Sequence, residues 1–365
     1  MKLSASRETL LNPLQAVIGV VERRQTMPIL ANVLLVADKG RLSVTATDLE
    51  VELVAATDVD VDQPGEITVP GRKLLDIVKA LDSGSNITLA LKGERITLQS
   101  ARSRFNLSTL AAAEFPTVDD IQASAALTVN EAHMVWLLEK TQFAMAQQDV
   151  RYYLNGLLLE TSDKGLRAVA TDGHRLALAD IEVLASDAAG KQVIVPRKGV
   201  IELQRLLNSD GELKLEFGDN HVRAQVGDIR FTSKLIDGRF PDYERVIPSQ
   251  ARNVMLADRE SLRHALGRAA ILSNEKYRGI RLEVKDSGVV IQAHNPDQEE
   301  AEEELEVQYS GDDIEIGFNV NYLLDSLAAV ESAEVRLSLI DANSSCLVND
   351  TTRDDVQYVV MPMRL

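Results

Sequence analysis

The sequence predicts an α+β fold in which one sheet-rich unit carrying two helices is used three times. Three observations lead there. Strings of residues recur at a nearly fixed offset, and short runs of alternating polarity follow one another without strict strand-helix alternation. The 365 residues also exceed the roughly 250 that one hydrophobic core usually holds.

The recurrence sets the domain plan. Leu34-Leu35-Val36-Ala37-Asp38-Lys39-Gly40, leading to Ala46-Thr47-Asp48, returns 124 residues later from Leu158 to Gly165, leading to Ala170-Thr171-Asp172. A worn copy runs from Arg281 to Gly288 and ends in Ala293-His294-Asn295, a further 123 residues on. Val69-Pro70 before a helical pattern returns as Val195-Pro196, and Phe318-Asn319 opens the third version. Phe115-Pro116 returns as Phe240-Pro241, and the chain closes with Val360-Met361-Pro362. Polar stretches near 124 and 248 then delimit domains 1–124, 125–248 and 249–365.

In chain order, helical periodicity predicts segments 7–23, 72–81, 130–147, 198–207, 259–272 and 320–330. Alternating runs such as 42–46 and 222–226 read as half-buried strands joined by Asp-Lys-Gly or Gly-Asp turns. Over 72–81, Leu74, Ile77, Val78 and Leu81 share a face opposite Arg72 and Lys79. Segment 198–207 repeats this, with Val200, Leu203 and Leu207 opposite Lys198 and Arg205. The third copy departs, placing Asn321 and Ala328 there, while its other helix carries Arg259, Arg263 and Arg268.

Net charge is −17, which taken alone argues against a polyanionic partner. The charge is sorted, however: six generously bounded helical segments hold 13 Lys/Arg against 9 Asp/Glu, leaving −21 for sheets and loops. One such helix reads as a solvated face, whereas its repetition reads as a shared basic surface with an electrostatic, sequence-indifferent grip.

Other classes are excluded or disfavoured. No window of about 18 apolar residues occurs, and the first eight residues lack the apolar stretch of a secretion signal. A single cysteine, Cys346, rules out an internal disulfide framework and a multi-cysteine zinc site, so a reducing cytoplasm is expected. His174 beside Asp172 would suit a general base. Yet no phosphate loop, zinc helix or nucleophile elbow accompanies it, and His133, His221, His264 and His294 share no ligand spacing. A binding or structural role for His174 is favoured, with no catalytic residue, metal or cofactor expected. Two alternatives stay open: a peptide-binding scaffold that never touches nucleic acid, and a hydrolase using His174 with Asp172.

Residues 299–306 hold six acids in eight positions and read either as a solvated face or mobile loop, or as half of an interface. The complement is at the other end of the chain, where Arg95, Arg102 and Arg104 accompany Phe105 and Leu107; the last third adds Ile271 and Leu272. Complementary patches at opposite ends favour head-to-tail association.

Longer strings carry a resemblance. Asp149-Val150-Arg151-Tyr152-Tyr153-Leu154-Asn155, Thr171-Asp172-Gly173-His174-Arg175-Leu176, Phe240-Pro241-Asp242-Tyr243, 270–276 and 358–365 resemble the bacterial sliding-clamp family, the beta subunits of DNA polymerase III holoenzyme, and the likeness spans essentially the whole chain. It implies the DNA clamp fold: a head-to-tail homodimer whose six similar domains close a ring, sheets outside and twelve helices around duplex DNA. Twelve helices about 10 Å wide make a circle of roughly 120 Å, leaving a hole of about 30 Å for a duplex about 20 Å across. The implied role is a processivity factor, not an enzyme.

The resemblance also implies sites. The dimer joint would use Lys73, Arg95, Arg102, Arg104, Phe105, Leu107, Ile271, Leu272, Glu299, Glu300, Glu302 and Glu303. DNA would meet Arg24, Arg72, Gln148, Tyr152, Tyr153 and Lys198, although the two tyrosines read equally as core aromatics. A cleft between the second and third domains would take short linear motifs of the replicative polymerase, clamp loader, translesion polymerases and repair proteins. Its apolar lining would be Leu154, Leu176, Pro241, Val246, Val359, Val360, Met361, Pro362 and Met363, with polar edges from Thr171, Gly173, His174, Arg175, Arg245, Tyr322, Ser345 and Arg364. No membrane partner is implied.

Overall fold

The computed structural model describes residues 1–21, 27–118, 121–163, 165–208, 210–249, 251–286 and 288–364. Among them, each third builds nine strands and two α-helices in the same order. The first has β1 (Lys2–Ser6), α1 (Arg7–Val17), β2 (Asn32–Asp38), β3 (Arg41–Thr47), β4 (Val51–Asp58), β5 (Asp60–Gln63), β6 (Gly65–Pro70), α2 (Gly71–Ala80), β7 (Asn86–Lys92), β8 (Arg95–Ser100) and β9 (Ser103–Ser108). The second has β10 (Ala125–Asn130), α3 (Glu131–Thr141), β11 (Gly156–Thr161), β12 (Gly165–Thr171), β13 (Arg175–Glu182), β14 (Ala185–Ser186), β15 (Gln192–Pro196), α4 (Arg197–Leu206), β16 (Glu212–Phe217), β17 (His221–Val226) and β18 (Ile229–Lys234). The third has β19 (Asn253–Asp258), α5 (Arg259–Ala269), β20 (Gly279–Lys285), β21 (Gly288–His294), β22 (Glu300–Leu305), β23 (Gln308–Ser310), β24 (Ile314–Asn319), α6 (Val320–Ala329), β25 (Glu334–Leu339), β26 (Cys346–Asp350) and β27 (Val356–Val360).

This is the expected threefold α+β plan, with shorter helices. The segments predicted as 7–23, 130–147 and 259–272 stop being α-helical at Val17, Thr141 and Ala269 and tighten into 3-10 turns Ile18–Val20, Gln142–Ala144 and Ala270–Leu272. A 3-10 tail continues the apolar period, so periodicity alone overruns the α-helical end. Helix starts follow from capping: the side chains of Ser6, Asp258 and Asn319 accept from the backbone N–H of Thr9, Ser261 and Asn321. The two helices of a third are braced end to start. Arg7 donates to the carbonyls of Val78 and Lys79 at the end of α2, and Arg259 to those of Leu327 and Val330 at the end of α6. These carbonyls lack helical partners, and the helix dipole favours a cation there. In the middle third Glu131 holds the corresponding place and accepts from Asn208 N–H instead.

Strand pairing follows one rule. The second sheet runs β14-β10-β16-β17-β18-β4-β3-β2-β6 and the third β15-β11-β12-β13-β27-β26-β25-β19-β23. In each, the last strand of one third pairs with the strand that follows the Thr-Asp turn of the third before it: β18 with β4, β27 with β13. The remaining sheets, β5-β1-β7-β8-β9 and β22-β21-β20-β24, end on β9 and β22. Among the described residues, these two strands are the members of the rule left without a mate.

The chain groups into two compact units, Met1–Ala132 with Val183–Ala189 and Lys198–Leu235, and His133–Glu182 with Gly190–Arg197 and Ile236–Leu365. The units cut through the middle third, because each of its sheets is continuous with the sheet of a neighbour. No helix among the described residues is long and apolar enough to cross a membrane.

Candidate functional site

The second unit carries an apolar sheet face set by strand register. Ile194, Leu158, Val169 and Leu178 stand opposite one another across β15, β11, β12 and β13. A parallel row, Thr171, Leu176, Val359 and Leu347, crosses β12, β13, β27 and β26. Phe240 and Tyr243 close over this face, and Tyr153, Val246, Ile247 and Leu347 pack at its margin, half buried. Pro241 and Arg245 are exposed beside them. Leu154, Leu176, Val359 and Val360 are buried below, whereas Met361, Pro362 and Met363 remain half exposed and Arg364 exposed. The terminal segment is pinned: Met361 N–H donates to His174 O at 2.8 Å, and Met363 N–H to Gly317 O at 2.9 Å. Ser345 Oγ donates to Val246 O at 2.8 Å and so fixes the covering segment to the start of β26.

The Thr-Asp-Gly-His-Arg turn forms one wall. Gly173 has φ +88°, and a Cβ there would lie 2.7 Å from an Arg151 nitrogen. Thr171 Oγ1 donates to Arg175 O and accepts from Gly173 N–H. Asp172 accepts from the N–H groups of His174 and Arg175 and from Arg175 Nε. Its oxygens thus hold the turn and Arg175; the His174 ring stacks at 6.3 Å on Tyr322. Burial, followed by the nearby Asp172, pushes the Tyr322 phenol above its ordinary value.

Two expected polar edges are braces. Arg175 reaches Asp172, the Phe143 carbonyl and Asp325, and lies 4.8 Å over the Tyr322 ring. Its donors hold the wall together. The Thr171 hydroxyl is likewise spent inside the turn. Sequence reasoning missed Leu158, Leu178, Ile194, Ile247 and Leu347; their alternation along strands marks a buried face but not what covers it. Tyr153 packs against the apolar cluster, as the core reading of that residue allowed.

The predicted DNA-contacting residues are placed unevenly. Arg24 lies outside the described residues. Gln148, with φ +55°, and Tyr152, 57 % exposed, flank Val150, which is 95 % exposed. Arg72 donates to Val21 O at 2.7 Å. Lys198 forms an ion pair with Asp48, a carboxylate only 3 % exposed. Arg205 donates to the Gln15 and Ala16 carbonyls at the end of α1 and to Glu202. The two cations read as pointing away from the core therefore fasten α4 to the first third.

At the unpaired edges, β9 exposes Arg104 and half buries Phe105 and Leu107, with Arg95 and Arg102 exposed nearby. The acidic run forms a strand with one solvated face. On β22, Ala301, Glu303 and Leu305 are half buried while Glu300, Glu302 and Glu304 are exposed. Glu303 is met by Arg268 of α5 in two hydrogen bonds of 2.8 and 2.7 Å, so its charge is neutralised within the chain. Glu302 accepts from Gln292, and Glu299 from Asn295. Ile271 is 75 % exposed, and Leu272 half buried. Lys73 is exposed on α2.

Repeated sheet-and-helix domains that share sheets, with an apolar sheet face beside a turn that commits the histidine-aspartate pair, define a clamp-type binding protein. Comparison with known proteins makes this specific. Family models of the DNA polymerase III beta subunit match in succession: its N-terminal domain over 1–119, central domain over 128–242 and C-terminal domain over 244–364. The Beta sliding clamp of Pseudomonas aeruginosa is 53 % identical and that of Escherichia coli (strain K12) 52 %, each over the full length of both chains. A crystal structure of the DNA polymerase III subunit beta from Pseudomonas aeruginosa superposes with a TM-score of 0.97 at 52 % identity over all of both chains. The chain belongs to the DNA polymerase III beta subunit family, the bacterial sliding clamps. Its function is that of a DNA sliding clamp, a processivity factor without catalysis of its own.

Proposed function

We propose that two copies join head to tail and close a ring around duplex DNA, and that the groove of the second unit captures short linear motifs. The pairing rule carries this reading. If β18 belongs with β4 and β27 with β13, then β9 belongs with β22, and within one chain both are edges. An unpaired edge strand invites a further strand. Arg102 and Arg104 at one edge and Glu300, Glu302 and Glu304 at the other are complementary, with Phe105, Leu107, Ile271 and Leu272 as the apolar part and Lys73 and Arg95 at the rim. We take the domain boundaries to lie near 124 and 248, and the work to be done in the cytoplasm.

DNA is held by enclosure, with weak contacts from the exposed loop of Gln148 and Tyr152 and from the helix cations. The groove accepts a leucine or phenylalanine of a polymerase, clamp-loader or repair-protein motif between Leu176, Val246, Val359 and Met361, beside His174 and Arg245. Enclosure is tested by loading the protein on nicked circular duplex and then linearising the circle. Retention on the circle and loss from the line is the expected result; equal loss from both rejects enclosure. For the groove, deleting residues 361–365 should abolish binding of a leucine- and phenylalanine-bearing peptide while sedimentation still reports a dimer. Undiminished peptide binding rejects the assignment.

A further inference from the structure

Three rows of side chains succeed one another on one face of the second unit's sheet, each two residues along the strands from the last and so on the same side. Gln192, Glu160, Arg167 and Asp180 stand opposite one another across β15, β11, β12 and β13. Next comes the apolar row of Ile194, Leu158, Val169 and Leu178, and beyond it the row that begins with Thr171 and Leu176. The first row is polar, and its members hold one another. Arg167 meets Asp180 in two hydrogen bonds of 2.7 and 2.9 Å, and Gln192 donates to Glu160.

Tyr243 ties the covering segment to that polar row. Its ring is buried against the apolar row, while its hydroxyl donates to Glu160 and accepts from Arg167 at 3.4 Å. Burial, then the bond to Glu160, pushes the phenol up to about 12, so near neutral pH it keeps the proton it donates. A hydrogen bond to a carboxylate is stronger than one between neutral groups. Tyr243 also begins the 3-10 turn Tyr243–Val246, whose far end is fixed where Ser345 Oγ donates to Val246 O at 2.8 Å. A short turn held at one end can still swing; held at both, it offers Val246 in one place.

The anchor is peculiar to this copy of the repeat. In the first unit Glu66, Val36, Ser43 and Ala56 occupy the places of Gln192, Glu160, Arg167 and Asp180, a row without a cation. Val118 stands there in the place of Tyr243, and its backbone N–H donates to Glu52 at 2.9 Å instead. The repeated fold therefore holds a covering segment without a tyrosine, and Tyr243 with its polar row is an addition to it.

We propose that Tyr243 is a positioning residue of the peptide groove: its hydroxyl, held by Glu160 and Arg167, sets where Val246 and Pro241 stand against the apolar side chain of a bound motif. The inference rests on the reading of the groove as a peptide site. The test is a fluorescein-labelled peptide bearing leucine and phenylalanine, titrated with the full-length protein and followed by anisotropy. Tyr243→Phe, which keeps the ring and removes the hydroxyl, should weaken binding roughly fivefold, and Glu160→Ala, far from the ligand, by a similar factor. The two together should weaken it no more than either alone, because they break one bond. Val246→Ala should cost severalfold in the parent and clearly less in the Tyr243→Phe background, since a displaced valine has less contact to lose. A role confined to stability would leave the cost of Val246→Ala the same in both backgrounds. That result, or unchanged binding by Tyr243→Phe, overturns the proposal. If Tyr243→Phe does not fold, Glu160→Ala serves as the background under the same expectation. A parent protein that does not bind the peptide, or is indifferent to Val246→Ala, rejects the groove itself and the proposal with it, an outcome visible before Tyr243 is altered.

Discussion

Cys346 illustrates how much one residue can carry. It is wholly buried on β26, opposite Val360, and burial pushes its thiol up to about 12. Since the thiolate is the reactive form, a thiol-specific chromogenic reagent should leave the native protein unlabelled and react as it unfolds in urea; stoichiometric labelling within minutes in buffer would contradict this. Asp350 sets an acid limit. Burial raises its pKa, but hydrogen bonds from Thr352, Ser332 and Glu331 outweigh that and hold the carboxyl well below the usual range. A depressed folded-state pKa stabilises the fold above the unfolded value, near 3.9, and that contribution fades as pH falls toward the folded one. Asp350→Asn should therefore lower stability at pH 7 and flatten the loss on acidification below about pH 4, as read by denaturant midpoints. Gly173→Ala places a Cβ against Arg151 at a positive φ and should cost about 1 kcal/mol or more in the same measurement. The turn containing Gly173 was legible in the sequence. The partners of Arg175 were not, because Phe143 and Asp325 reach it from elements 32 and 150 residues away.

At the scale of elements, the repeats were legible because strand register, turn and helix start are written locally: a Val-Pro or a capping residue, a Thr-Asp turn, a Phe-Pro segment. The direction of the helix cations was not. Periodicity shows that Lys198 and Arg205 avoid the core of α4, but it does not show that the end of α1 and Asp48 occupy that space. Arg205→Ala should leave two helix-end carbonyls without their donor and destabilise the protein by about 1 kcal/mol, the figure being kept small because the side chain is partly exposed. Arg205→Lys should restore only part of that, since one ammonium does not match the planar fork. Equal stability of all three proteins in urea would show that the brace contributes nothing. The acidic run was ambiguous for a related reason. Six like charges suggest a solvated face or a mobile loop, and the period-two alternation puts Ala301, Glu303 and Leu305 on one side of β22 and Glu300, Glu302 and Glu304 on the other, with Arg268 of α5 meeting Glu303.

At the scale of the whole molecule, the division into two compact units follows from sheets that run on between thirds, a fact no string comparison contains. The same continuity gives the proposed dimer its most exacting test. If β9 and β22 pair between chains, the joint combines a backbone ladder with a charge term, and only the second is screened by salt. Arg102→Glu with Arg104→Glu places like charges opposite Glu300, Glu302 and Glu304 and should raise the dimer dissociation constant at least tenfold at low ionic strength. The gap should narrow at about 1 M salt, where the Debye length falls to about 3 Å. Glu300→Lys with Glu302→Lys, added on the partner surface, should recover much of the loss, and Glu303→Lys should not, because Glu303 answers to Arg268 within its own chain. Sedimentation equilibrium of the three combinations distinguishes a paired edge from a chance charge patch. A dimer indifferent to the first double reversal would remove β9 from the joint.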